Sequence, residues 1–204
     1  MILALDVNGT ERALEVVGQT AGHIDAIKVG YPLVLSTGLG IIAELKRFGL
    51  PIIADFKVAD VPHVSAEICR LATEAGADFV IVQGVMGREV VEACSKEANL
   101  FVVSDMSHPG ALDYISGHNR EIAGHAAKFA EGIVAPATRP QTIKTLRSII
   151  GDLIVISPGV KAQGAAVGSA ISAGADFEII GRAIYQSPNP GAAAEQIKNE
   201  IKSS

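Results

Sequence analysis

Residues 51–62 read Pro51-Ile52-Ile53-Ala54-Asp55-Phe56-Lys57-Val58-Ala59-Asp60-Val61-Pro62, an apolar strand pattern that runs into three charged side chains. Side chains alternate between the two faces of a β-strand, so Ile53, Asp55 and Lys57 are expected to share one face. Asp60 then lies in the turn before the next helix. Because burying a charge is costly unless it is paired, this stretch predicts either a structural ion network or a catalytic site.

Similar runs of β-forming residues recur about every 25 residues along the chain. They are Ile2–Asp6, Asp25–Val29, Ile52–Lys57, Phe79–Gln83, Leu100–Ser104, Gly132–Ala135, Leu153–Ser157 and Phe177–Ile180. Segments with helical periodicity lie between them, for example at Leu33–Phe48, Val64–Ala75 and Ala123–Phe129. This alternation predicts an α/β fold, a (β/α)8 TIM barrel that forms a single domain over residues 1–204, with a doubly wound sheet as the alternative.

A short internal repeat supports the barrel. The sequence Ala75-Gly76-Ala77-Asp78-Phe79 precedes the fourth predicted strand and reappears as Ala173-Gly174-Ala175-Asp176-Phe177 before the eighth. We interpret each copy as a glycine that ends a helix, followed by entry into a strand, at the end of the barrel opposite the site.

The composition excludes several functional classes. With 49% hydrophobic residues the chain can bury one large core, and its net charge of −5 leaves no basic patch for nucleic acid. The longest uncharged stretch, Val29–Ala43, is too short to span a bilayer and contains proline and glycine. Met1 leads directly into an apolar strand without a secretory leader. We therefore expect a cytoplasmic protein with no membrane or nucleic-acid partner.

The cysteines and histidines show no metal-binding spacing. Cys69 and Cys94 are not in a CxxC pattern and fall in helical segments, which predicts buried thiols. The histidines, which form neither HxH nor HExxH, are His23, His63, His108, His118 and His125. His63 is expected to be exposed in the first turn of a helix. We predict no metal site.

Polar side chains follow several of the predicted strands, at the end where barrel enzymes place their sites. They lie at Asp6, Lys28, residues 55–60, Ser104-Asp105-Met106-Ser107-His108-Pro109-Gly110, Ser157–Gly164 and Gly181-Arg182. The loops after the seventh and eighth strands are the usual phosphate-binding loops of such barrels. Their glycines, Gly159, Gly164 and Gly181, would let backbone amides approach an anion, and Gln163 and Arg182 can donate to its oxygens. Alternatively, these glycines only permit tight turns and Arg182 is a solvated charge.

The charged side chains at the strand ends also have plainer interpretations. Lys28 alone could be a lysine whose stem is buried and whose head reaches solvent, and Asp6 could cap the helix that begins near Thr10. Ser107 could be an ordinary turn residue. Taken together with residues 55–60, however, Asp6 and Lys28 form an alternating set of ammonium and carboxylate groups, which favours a built site.

The segment Asp55-x-Lys57-x-x-Asp60-Val61-Pro62 resembles the DxKxxD(I/V)P signature of the orotidine 5′-monophosphate decarboxylase family, the last enzymes of UMP biosynthesis. Further matching segments occur in family order, at a spacing similar to that of compact archaeal members. They are Leu5-Asp6, Lys28-Val29-Gly30, Met106–Gly110, Ser157–Val160 with Gln163, and Gly181-Arg182. The resemblance covers essentially the whole chain.

The resemblance implies a homodimeric barrel that converts orotidine 5′-monophosphate to UMP without a metal or organic cofactor. It makes Lys57 the donor of a proton to C6 of the pyrimidine and places Asp55 beside the substrate carboxylate. Lys28 belongs to the catalytic array and, with Asp6, holds the ribose. Asp60 is implied to enter the partner's site, where it contacts the ribose and completes the array.

The remaining implied contacts concern the base and the phosphate. Ser107 matches the serine on the pyrimidine, and Gln163 and Arg182 match the phosphate ligands. Pro158 and Gly181 belong to the substrate-binding set of the same two loops.

Two positions depart from the family pattern. Val64 stands where a threonine that reaches across the dimer is expected, and Lys161 is unexpected in the phosphate loop.

Two other functions are alternatives. Hexulose-phosphate synthases also carry a DxKxxD strand, but these magnesium enzymes have a glutamate where Lys28 stands, and an ammonium there would oppose a cation. A non-catalytic nucleotide sensor would need the phosphate loops but not Lys57.

Overall fold

The computed structural model describes residues 1–203, in which eight parallel strands close into a barrel in chain order. They are β1 (Ile2–Ala4), β2 (Ala26–Gly30), β3 (Ile52–Val58), β4 (Phe79–Gln83), β5 (Leu100–Val103), β6 (Gly132–Val134), β7 (Ile154–Pro158) and β8 (Phe177–Ile180). β1 pairs with both β2 and β8, so the sheet has no free edge. The predicted (β/α)8 barrel is confirmed, and the doubly wound alternative is wrong.

Helices follow the strands around the outside of the barrel. They are α1 (Thr10–Thr20), α2 (Tyr31–Thr37), α3 (Ile41–Lys46), α4 (Pro62–Glu74), α5 (Arg88–Cys94), α6 (Ala111–Tyr114), α7 (Asn119–Phe129), α8 (Pro140–Ile150), α9 (Ser169–Ser172), α10 (Arg182–Tyr185) and α11 (Pro190–Lys202). Short 3-10 turns lie at Gly84–Met86 and Ser116–His118. The segment predicted as one helix over Leu33–Phe48 is divided, because Gly38 adopts φ 83°, a left-handed conformation that ends α2.

The core has two layers, as strand alternation requires. Side chains of one parity fill the barrel interior: Ile2, Ala4, Ala26, Ile53, Ile81, Phe101, Val103, Val134, Ile156 and Ile179. The other parity packs against the helices, as Leu3, Ile27 and Val80 do. Since Ile53 is an interior residue, Asp55 points along the barrel axis toward the carboxyl ends of the strands.

β3 is irregular at the charged residues. Ala54 pairs with Val80 and Val58 with Val82, so β3 advances four residues where β4 advances two. Within this bulge Lys57 has φ 43°, in the left-handed region that a non-glycine side chain seldom adopts. Alternation is kept through the bulge, because Ala54, Phe56 and Val58 pack in the outer layer while Asp55 and Lys57 both line the cavity. The prediction that Ile53, Asp55 and Lys57 share one face is confirmed.

The internal repeat has the predicted structural role, and its aspartates add a second one. Gly76 and Gly174 have φ of 106° and 105° just after a helix. Asp78 accepts a hydrogen bond from the first amide of β3, and Asp176 accepts one from the Val155 amide of β7, both at 2.7 Å. Each copy thus fixes the amino end of a neighbouring strand, away from the polar end of the barrel.

Three smaller expectations concern the cysteines, Asp6 and membrane-spanning helices. Cys69 and Cys94 are buried free thiols, as predicted. Asp6 does not cap α1, because the N-cap position is Gly9, which has no side chain. In the described chain no helix has both the length and the apolar character needed to cross a membrane.

We predict that Gly132→Ala lowers the free energy of unfolding by about 3 kcal/mol, because the new Cβ would overpack a closed layer. That Cβ would lie 2.1 Å from the Ile154 carbonyl oxygen and 2.7 Å from the Phe101 ring. Gly124→Ala is the control, since a Cβ there meets nothing within 4 Å and α7 should gain about 0.5–1 kcal/mol. Urea unfolding at one protein concentration measures both, and equal midpoints would contradict the prediction.

Candidate active site

A cavity of about 380 Å³ opens at the carboxyl ends of the strands, where the sequence predicted the site. Most of the predicted site residues line it: Asp6, Lys28, Asp55, Lys57, Ser107, Pro158, Gln163, Gly181 and Arg182. They come from the ends of β1, β2, β3, β7 and β8 and from the loop after β5. Asp60 is not among the lining residues of its own chain.

The centre of the cavity is one carboxylate between two ammonium groups. Asp55 Oδ2 lies 2.6 Å from Lys28 Nζ, and Asp55 Oδ1 lies 2.8 Å from Lys57 Nζ. Lys28 Nζ is also 4.0 Å from Asp6 Oδ1. The side chains of Lys28 and Asp55 are each 8% exposed, whereas Lys57 is 40% exposed. The row Asp6, Lys28, Asp55, Lys57 therefore alternates in sign and becomes more accessible at Lys57.

Burial and pairing act in opposite directions on the ionisation of this row. Burial lowers the pKa of Lys28, but the charges of Asp55 and Asp6 outweigh it, so the pKa lies above the ordinary lysine value. Burial likewise raises the pKa of Asp55, but Lys28 and Lys57 outweigh it and the pKa falls below the ordinary aspartate value. Both groups are charged at neutral pH. The cavity therefore holds a fixed pattern of charge.

Asp60 lies apart from this row on the outer rim. It is exposed, its carboxylate accepts the Val61 amide at 2.7 Å, and its own amide donates to Ser65 Oγ at 3.0 Å. No ion pair within residues 1–203 joins Asp60 to the row. A role for Asp60 in the site of a partner stays a prediction.

The loops after β7 and β8 close the other side of the cavity. Gly159 and Gly164 have φ of 108° and 97°, so the tight-turn explanation for these glycines is correct as far as it goes. Gly181 permits close approach of two backbone segments, because a Cβ there would lie 3.2 Å from the Ala4 carbonyl oxygen. Gln163 lines the cavity, and Arg182, which begins α10, donates to the Ala162 carbonyl at 3.3 Å. Donors and exposed backbone thus face one space, as an anion site requires.

Sequence reasoning missed a second ion pair that supports the loop after β5. Asp105 is fully buried and accepts hydrogen bonds from Ser116 Oγ at 2.7 Å and Arg139 Nη2 at 2.9 Å. Arg139 also donates to the Met106 carbonyl. This pair fixes the backbone beside Ser107. The available signal was that Arg139 lies in the loop after the sixth strand, on the same end of the barrel as the polar run after the fifth.

Two further lining residues, His108 and Tyr185, also went unassigned. Burial and the charge of Asp6 raise the pKa of the Tyr185 phenol. His63 is exposed in the first turn of α4, as predicted. Within residues 1–203 no group of three or more His, Cys, Asp or Glu side chains is placed to hold a metal ion.

The fold and the site together define a class of protein. A (β/α)8 barrel with a buried ammonium and carboxylate cluster beside glycine-rich loops after β7 and β8 is typical of enzymes that act on phosphorylated substrates.

The comparisons with known proteins name the family within that class. The family model for the orotidine 5'-phosphate decarboxylase / HUMPS family matches residues 1–197. The chain is 52% identical to an orotidine 5'-phosphate decarboxylase of Methanosarcina barkeri, over 99% of this chain and 94% of that one. It is 43% identical to the same enzyme of Pyrococcus abyssi, over 99% of each. The chain belongs to this family, and the resemblance stated from its sequence is confirmed.

Solved structures agree. The orotidine 5'-monophosphate decarboxylase of Methanocaldococcus jannaschii, complexed with the inhibitor BMP, superposes with a TM-score of 0.94 at 40% identity, over 98% of this chain and 97% of that one. The orotidine 5'-phosphate decarboxylase of Pyrococcus horikoshii gives 0.92 at 41% identity, over 99% of each.

We predict that ionised Asp55 makes the fold acid-sensitive. Since the pKa of Asp55 is lower in the folded state, its stabilising contribution is present above its unfolded pKa of about 4 and is lost as the pH falls through the folded value. Below about pH 4 the free energy of unfolding should therefore fall more steeply in the wild type than in Asp55→Asn. The exposed Asp152 supplies the control, because Asp152→Asn should keep the wild-type slope. Urea titrations from pH 6 to about 3 measure the slopes, and parallel curves for wild type and Asp55→Asn would refute the prediction.

Proposed function

We propose that this protein decarboxylates orotidine 5′-monophosphate to UMP, the last step of de novo pyrimidine biosynthesis, with Lys57 as the proton donor and without a cofactor. The observation that carries the proposal is the placement of Asp55 between Lys28 and Lys57, at 2.6 and 2.8 Å, in a cavity that also holds the predicted phosphate loops. Family membership and the decarboxylases among the relatives support the same reaction.

The reaction makes a demand that such a row of charges can meet. When the bond from C6 to the carboxylate breaks, carbon dioxide leaves and the electron pair stays on C6, in the ring plane, where the π system cannot delocalise it. Fixed charge in a site closed to water is then the largest available source of stabilisation. Lys57 supplies both a countercharge and the proton that C6 takes up, and its amine regains a proton afterwards.

The exposure of the two lysines supports this division of roles. Lys57 is the accessible ammonium, at 40% exposure, while Lys28 is 8% exposed and packed behind Asp55. We assign Lys57 to the reacting carbon and Lys28 to the orientation of Asp55. Asp55 would then lie beside the substrate carboxylate, where repulsion is relieved as carbon dioxide leaves.

A single lysine cannot supply the whole lowering of the activation barrier. The strongest enzymes lower barriers by up to ~23 kcal/mol, so binding energy from a remote part of the substrate must contribute. We assign the phosphate to Gln163, Arg182 and the amides around Gly181, and the pyrimidine to Ser107 and Pro158. Phosphate binding would supply free energy for desolvating the charged row.

Two rival functions meet specific obstacles. A magnesium-dependent lyase of the HUMPS type would have to place its cation next to Lys28, whose pKa is raised by Asp55 and Asp6 despite burial. A non-catalytic nucleotide sensor would need the phosphate loops but would gain nothing from burying an ion pair as costly as Lys28–Asp55.

We predict that Lys57→Ala removes nearly all turnover while binding of UMP stays measurable, because the ammonium acts mainly on charge that develops in the transition state. The loss of orotidine 5′-monophosphate absorbance, followed with excess EDTA present, measures turnover. The matched control is Lys46→Ala, which removes a lysine of similar exposure, 38%, whose 2.7 Å ion pair with Asp78 lies at the opposite end of the barrel. It should turn over at the wild-type rate.

Two outcomes would contradict the proposal. If Lys57→Ala keeps turnover within about tenfold of wild type, a difference of only ~1.4 kcal/mol, Lys57 is not the proton donor. If wild-type activity is lost in EDTA and restored by magnesium, the lyase interpretation replaces ours.

We also propose a homodimer in which each chain gives Asp60 to the other's site. Asp60 lies at the rim with its carboxylate toward solvent, beside an exposed apolar side chain, Val61, which is 50% exposed. Tyr31, Val85 and Met86, from the loops and helices after β2 and β4, are 40–49% exposed as well. Apolar groups exposed on adjacent elements are typical of a protein interface.

We predict that mixed dimers of Lys57→Ala and Asp60→Ala chains recover activity. If Asp60 acts in the partner's site, one site of every heterodimer carries both changes and the other carries neither. Random pairing after joint refolding should then give about a quarter of wild-type activity from two impaired parents. Mixing Lys57→Ala with Asp55→Asn is the control, because these two residues lie in one site and no intact site can form.

Heterodimer formation is verified by mass spectrometry. Activity of the first mixture that never exceeds the average of its parents, with heterodimers present, would mean that Asp60 is not shared.

A further inference from the structure

A carboxylate that the proposed reaction does not use is buried next to the phosphate loop. Glu178 lies on β8 with its side chain on the outer face of the barrel and is fully buried. Its Oε2 accepts the Gly168 amide and its Oε1 accepts the Ala170 amide, each at 3.0 Å. No ion pair in the described chain involves Glu178. Two backbone amides are therefore the groups that compensate this buried charge.

An acidic side chain at this position needs a reason. The outer face of β8 otherwise packs into the apolar layer, as Ile180 does at 1% exposure. Burying a carboxylate there costs free energy that an apolar side chain would not. Glu178 differs from an apolar side chain in that it holds two particular backbone amides, so a role for it is to be found at those amides.

Those amides end the loop that begins at Pro158. Residues 159–165 form a turn closed by their own backbone. The Lys161 amide donates to the Ala165 carbonyl at 2.8 Å, and the Ala165 amide donates to the Gly159 carbonyl at 3.3 Å. The turn carries Gln163. The chain then returns through Gly168, which has φ 80°, into α9. Glu178 thus grips the loop where it rejoins the barrel.

The side-chain contacts to residues 161 and 162 of this loop are exposed. Lys161 Nζ lies 3.2 Å from Glu200 Oε2, with the two side chains 37% and 38% exposed. Arg182 donates to the Ala162 carbonyl at 3.3 Å, also in an exposed position. Contacts of this kind contribute little to holding a segment in place.

We propose that Glu178 is a positioning residue, which orders the loop over residues 159–168 before the substrate phosphate arrives. The inference rests on the proposed phosphate role of that loop. A loop that must be ordered on binding lowers affinity by the free energy of ordering, and a loop held in place avoids this cost. Glu178 touches no substrate in this scheme, and its effect is confined to the phosphate.

The test compares Glu178→Gln with wild type. The amide keeps one acceptor and turns its NH2 toward a backbone N–H, so one of the two bonds is lost. Loss of a buried bond of this kind should raise the Kd for UMP about tenfold, and KM for orotidine 5′-monophosphate in parallel. The Kd for uridine, which lacks the phosphate, and kcat should change less than about twofold.

Glu131→Gln is the matched control. Glu131 accepts the Leu100 amide at the opposite end of the barrel, so its replacement turns a carboxylate–amide bond into a neutral one without touching the loop. It should leave the ratio of the UMP and uridine affinities at the wild-type value. Gly168→Ala strains the same anchor from the loop side, because φ 80° disfavours a Cβ, and should reproduce the effect if Glu178→Gln does not fold.

Equal losses of affinity for UMP and uridine, or an unchanged affinity for UMP, would overturn the positioning role. The proposed function is judged separately, by whether the wild-type protein decarboxylates orotidine 5′-monophosphate. If the wild type is active and Glu178→Gln binds UMP with wild-type affinity, only the inference about Glu178 is rejected.

Discussion

The site depends on the contact of Asp55 with two ammonium groups. A buried aspartate with one lysine would be an ordinary ion pair, but here the second lysine occupies the other carboxylate oxygen, at 2.8 Å against 2.6 Å for the first. Attraction from both outweighs the burial that would otherwise keep the carboxyl protonated. Lys28 and Asp55 therefore keep each other ionised, and loss of Asp55 would leave the buried Lys28 ammonium without its nearest countercharge.

That contact places demands on the barrel around it. Lys28 must come from β2 and Asp55 from β3, and parallel pairing in register brings their strands side by side. Lys57 lies two residues after Asp55 on the same strand and shares its face, but β3 bulges there and Lys57 takes a left-handed backbone conformation. Strain of this kind persists only where surrounding contacts enforce it, which is consistent with a functional position.

The sequence was sufficient to predict the strands and the placement of most of the site residues, because both depend on patterns among neighbouring residues. Apolar runs that end in polar residues located the strand ends, and the rule that barrels gather those ends in one place located the cavity. What failed depended on contacts between distant segments. The Arg139–Asp105 pair joins two loops, and the hold of Glu178 on Gly168 joins a strand to a loop, so neither leaves a periodic signal. Gly38 was visible, but periodicity alone did not show that it would divide a helix.

The two ends of the barrel show what distinguishes a functional ion pair from a structural one. Lys46 and Asp78 lie 2.7 Å apart at the amino end, nearly the same separation as the 2.6 Å between Lys28 and Asp55. The difference is solvent: the first pair is 38% and 36% exposed, the second 8% and 8%. Water screens the first pair, so its attraction contributes little to the stability of the fold, whereas the second pair keeps a strong electric field in a small cavity. Proximity of lysine and aspartate is therefore common to both ends of the barrel, and what distinguishes the cavity is that the accessible Lys57 is paired with a carboxylate that is itself buried against Lys28.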